Sequence, residues 1–64
     1  MTTGEALGRL LSDEGRDVTL VVEEGEVAAA EWVDEATGAA GATVVMVTAG
    51  RIVQRADYSG GQPG

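Results

Sequence analysis

Two glycine-centred turns, Glu24-Gly25-Glu26 and Ala49-Gly50-Arg51, each separate runs rich in β-branched residues. Apolar, β-branched runs joined through a glycine describe β-hairpins, because glycine enters the positive-φ turn conformations that other residues resist. In the first hairpin, Val18, Leu20 and Val22 alternate with Thr19, Val21 and Glu23, which predicts a strand over 17–23. Its partner strand, 26–34, has one face made of Val27, Ala29, Glu31 and Val33. Its other face is Ala28, Ala30, Trp32 and Asp34. In the second hairpin the unbroken Thr43-Val44-Val45-Met46-Val47 predicts a central strand over 42–49, covered on both sides. Arg51 to Tyr58 completes it.

Ahead of these strands, Thr2 and Glu5 have the spacing of a capping box. Ala6, Leu7, Leu10 and Leu11 then form one apolar stripe at helical spacing, and Gly15 stands where a helix ends. A helix over about 3–13 follows. The fold class is therefore α+β: one N-terminal helix and a four-stranded antiparallel meander, forming a single domain over 1–58. Glu35 to Gly41 reads as a flexible connection, and 59–64 as a disordered tail.

Size limits how such a sheet can be stabilised. A chain of 64 residues makes one small domain, and domains of about 60 residues bury only about 60% of their unfolded surface. The apolar residues are mostly Ala and Val, with no Phe, one Trp and one Tyr. There is no Cys and no His, so a disulfide is impossible and a zinc site of the usual kind is not expected. Oligomerisation is the remaining route, and a homodimer is the expected state. The net charge of −7 opposes binding to nucleic acid phosphates. No run approaches the ~20 apolar residues of a membrane span, and the N-terminus lacks the pattern of a signal peptide. A cytoplasmic location is expected. The absence of lysine beside much Ala, Gly and Val suggests a GC-rich bacterial source.

Asp34 and Asp57 are the residues best placed to carry chemistry. Alternation sets Asp34 with Trp32 and Ala30, and Asp57 with Arg55 and Val53. On one concave face, two carboxylates and a guanidinium would meet above an Ala-rich floor, and unequal carboxylates can divide acid and base roles. The plainer alternative is acids near strand ends, solvated or in surface ion pairs worth about 0–1 kcal/mol. Glu23, Glu24 and Glu26 read as a charged, exposed turn rather than a cation site.

The run Gly4-Glu5-Ala6-Leu7, the strands from Asp17 to Val22 and from Gly25 to Asp34, and the ending Gly50-Arg51-Ile52-Val53-Gln54-Arg55-Ala56-Asp57-Tyr58 together resemble the later part of a SnoaL-like domain. That group belongs to the nuclear-transport-factor-2-like superfamily, and the motif is similar to its limonene-1,2-epoxide hydrolase branch. The resemblance implies half of a cone-shaped α+β domain whose curved sheet wraps a pocket. Trp32 stands where that branch has Arg, and Arg55 where it has Trp, as if the two side chains had been exchanged between strands. The pocket-roofing helices of the branch have no counterpart in the chain.

Two functions are carried forward. The first is a non-catalytic module that self-associates and binds a small apolar ligand or a protein partner, with Trp32, Ala30, Val53 and Tyr58 lining the contact. The alternative is a cofactor-free epoxide hydrolase, or an isomerase or cyclase, with its pocket completed by oligomerisation and Asp34, Arg55 and Asp57 as its catalytic group. Neither reading calls for a cofactor or metal.

Overall fold

The computed structural model describes residues 1–59, and the residues read as a tail, 60–64, lie outside that range. Ser59 belongs to the last strand. The elements are α1 (Thr3–Asp13), β1 (Arg16–Glu24), β2 (Val27–Asp34), β3 (Ala40–Thr48) and β4 (Arg51–Ser59). The strands form one antiparallel sheet in the order β1-β2-β3-β4. The α+β meander expected from the turns and periodicity is what forms.

α1 starts on the capping box: Glu5 N–H donates to the Thr2 hydroxyl, and Thr2 N–H donates to the Glu5 carboxylate. These bonds satisfy amides that a helix start leaves without partners. Gly4 N–H, also in the first turn, donates to Glu23 of β1 at 2.9 Å. The helix lies over β1 and β2 and buries Leu7 and Leu11 against Ala28, Ala30, Trp32 and Val45. The alanines of β2 allow this close approach. Among the described residues, six buried apolar side chains make a small core.

The hairpin turns follow from backbone sterics. Ala49 and Gly50 both take positive φ, 54° and 76°, as a type I′ turn requires. Between β2 and β3 the expected flexible connection is an organised turn. Asp34 Oδ1 accepts from the amides of Ala36 and Thr37, and the Asp34 backbone bonds Gly38 and Ala39. β3 consequently begins two residues before the predicted start.

Two irregularities redistribute side chains between the sheet's faces. In β1 the register shifts between Val18 and Leu20: Val18 pairs with buried Trp32, and Leu20 with exposed Glu31. Val18 therefore faces the helix, while Leu20 and Val22 face away. Strict alternation would have put all three together, and a bulge of one residue reverses the faces beyond it. A second shift at Met46/Val47 leaves Val53 between paired residues of β4.

The sheet thus has one face under the helix and one open. β3 is central in the sheet, but only its helix-side residues Thr43 and Val45 are buried. The open face carries Leu20 (51% exposed), Val22 (55%), Val27, Val44, Met46 and Tyr58 (60%). Among the described residues, none supplies the second covering expected for β3.

Candidate functional site

The polar cluster on the helix side begins with a buried hydroxyl. Thr43 is fully buried in β3, and a buried hydroxyl needs hydrogen-bond partners. It accepts from the indole Nε1–H of Trp32 at 2.9 Å and donates to Asp57 Oδ1 at 2.5 Å. The register places it between the two strands it links, since Ala30, Thr43 and Asp57 form one cross-strand row.

Around Asp57 the charges alternate. Arg55 Nε donates to Asp57 Oδ2 at 3.0 Å, and both terminal nitrogens of Arg55 donate to Glu14, at 2.7 and 2.8 Å. Arg16 bonds Glu14 at 3.2 Å, lies 3.5 Å from Asp57, and stacks its guanidinium 4.0 Å from the centroid of Trp32. Arg55 thereby ties the C-cap residue of α1 to β4, which the helix does not otherwise cover. The clamp joins residues 41 positions apart.

The protonation equilibria follow from these contacts. The Thr43 hydroxyl, and after it the Arg55 guanidinium, hold the Asp57 carboxyl below its ordinary 3.8. The hydrogen bond from Arg55 does the same for Glu14, below its ordinary 4.5. Arg55 is pushed further up by Glu14 and then Asp57. At neutral pH the cluster holds two carboxylates and two guanidiniums in mutual contact, and Asp57 already receives bonds from Thr43 and Arg55. Proton abstraction needs a base poised near the working pH with a free lone pair. The arrangement here is that of a structural ion-pair network.

The residues singled out from the sequence are only partly brought together. Arg55 and Asp57 touch. Asp34 is on the same side of the sheet but four residues along β2 from the Asp57 row, about 13 Å at the rise of a strand, and its carboxylate closes the β2–β3 turn. Trp32 lies next to Arg16 rather than Arg55, and reaches Asp57 through Thr43. Ala30 is buried under the helix, Val53 is exposed in the β4 bulge, and Tyr58 points to the open face. Trp32 and Tyr58 share a shallow concavity of about 380 Å³ with Glu31 and Gly41.

Four contributors went unread in the sequence: Glu14, Arg16, Thr43 and Gly41. Thr43 could have been suspected as the polar residue opening an apolar strand. Gly41 could have been suspected too, since glycine within a strand often marks a close approach. A Cβ at Gly41 would stand 2.5 Å from the Trp32 ring and 2.6 Å from the Tyr58 carbonyl oxygen, so the indole lies flat only over glycine. Among the described residues, no group of three or more acidic, His or Cys side chains could hold a metal ion, and no helix is long and apolar enough to cross a membrane.

Fold and site together define a small α+β domain with a helix on one side of an antiparallel meander and a bare apolar face on the other. No family model, curated protein or solved structure matches the chain.

Proposed function

We propose that this chain is a small non-catalytic binding module of SnoaL-like type, which self-associates through the open face of its sheet and in doing so creates a contact surface for an apolar ligand or a protein partner. One observation carries the reading: the exposed face opposite the helix is lined by Leu20, Val22, Val27, Val44 and Met46. A contiguous apolar patch of several hundred Å² is a mark of interaction sites. The size of the core supports the same view, because six buried apolar residues, two of them alanine, leave a domain of this length short of burial. The order helix then meander supports kinship with the SnoaL-like group. The engaged state of Asp57 favours binding over acid–base chemistry.

Sedimentation equilibrium tests the proposal. The expected mass is twice the 6.5 kDa of one chain, and Val44→Glu, which puts a carboxylate at the centre of the open face, is expected to give a monomer. Trp32 lies on the opposite side, so its fluorescence reports whether the variant keeps its helix-side core. A wild-type chain that stays at 6.5 kDa at millimolar concentration, or a Val44→Glu dimer as tight as wild type, would contradict the proposal.

A further inference from the structure

The open face has one charge within its apolar field. Glu31 pairs with Leu20 of β1 on one side and Ala42 of β3 on the other, and Ala42 pairs in turn with Tyr58 of β4. Along its own strand its same-face neighbours are Ala29 and Val33. Thr19, at the β1 bulge, gives its hydroxyl to the Glu31 carbonyl oxygen rather than to the carboxylate. The nearest other charges on this face are also acidic: Asp17, opposite Val33, and Glu24, opposite Val27. Arg51 pairs with Thr48 at the far end of β3, six residues from Ala42, about 20 Å at strand rise. Among the described residues, no cation on this face reaches Glu31.

Resting on the self-association proposed above, we infer that the occupant of the open face is a second copy of this chain, packed face to face, and that Glu31 makes the pairing proton-linked. The area fits a second copy. Four strands about 4.8 Å apart and some eight residues long give a face of about 500 Å². Two such faces remove about 1,000 Å² from water, the lower bound for a specific interface. At that bound, the cost of one misplaced charge decides whether the pair holds.

Two-fold pairing brings two Glu31 side chains into the same apolar interface. Burial without a cation disfavours a carboxylate. The assembled state therefore favours the neutral acid and takes up protons as it forms. By linkage, a state that binds more protons is strengthened as pH falls. Association is weak when both Glu31 are charged and tightens as the pH is lowered toward the ordinary carboxylate range. The Glu14 and Asp57 carboxylates stay charged throughout this window, because their titration is displaced to lower pH.

The test measures the dimer dissociation constant by sedimentation at about pH 7.5 and about pH 5.5 for wild type and Glu31→Gln. Wild type is expected to associate at least about tenfold more tightly at the lower pH, since up to two protons are linked to each dimer. Glu31→Gln keeps the shape without the charge. It is expected to associate more tightly than wild type at the higher pH and to change clearly less than wild type between the two. A wild-type dimer indifferent to pH, or a Glu31→Gln dimer as pH-dependent as wild type, would overturn the role of Glu31 and leave the face-to-face pairing standing. Monomers for both proteins at both pH values would overturn the pairing itself.

Discussion

Thr43 is the residue on which the helix-side polar cluster turns. Its hydroxyl is the only hydrogen-bond partner of the Trp32 indole N–H among the described residues, and it also donates to Asp57. Thr43→Val keeps the shape of the side chain and strands a buried donor, a change that costs about 1–3 kcal/mol. Thr43→Ser, which retains the hydroxyl, should recover most of that. Denaturant unfolding followed by Trp32 fluorescence measures both, and a loss for Ser with none for Val would show that the methyl group, not the relay, matters. Arg16 contributes separately through its stacking on the indole, a contact worth about 0.5–2 kcal/mol.

At the scale of elements, the Glu14–Arg55 clamp is what couples the end of α1 to β4. Glu14 and Asp57 are both held below their ordinary values, so the unfolded chain binds protons more readily than the folded one. The stability they contribute is complete above the ordinary carboxylate range and is lost as pH falls through the lower, folded values. Both side chains are more than a third exposed to solvent or close to it, at 34% and 42%, so each pair is worth about 1 kcal/mol or less. At concentrations too low for self-association, the melting temperature is expected to hold from neutral pH to about pH 5 and to decline below about pH 4, with a shallower decline in Arg55→Met. An unchanged acid limb in that variant would remove the clamp from the account. The elements themselves were legible in the sequence: α1 from its capping box and leucine stripe, and the hairpins from Gly25 and Gly50. The bulges were not. Period-two alternation carries no mark of the extra residue at Thr19, so it groups Leu20 and Val22 with Val18 although they occupy the opposite face. The Arg55–Asp57 contact was readable from their spacing on one strand. The partnership with Glu14 was not, because it depends on how the helix crosses the sheet.

For the whole molecule, the open face dominates the energetics. The helix covers β1 and β2 on one side, and nothing in the chain between Met1 and Ser59 covers the other. A domain this small gains little from six buried apolar side chains, whereas a second sheet laid on the first at about 10 Å would add a second core. Pairing along the free edge of β4 would join backbones but leave Leu20, Val22 and Met46 wet. The most direct measurement is an isotope-filtered NMR experiment on an equal mixture of labelled and unlabelled chain, recording contacts between copies. Intermolecular contacts among the methyl groups of Val22, Val27, Val44 and Met46 are the predicted result. Contacts confined to the β4 edge, or none at concentrations where the chain is folded, would contradict the account.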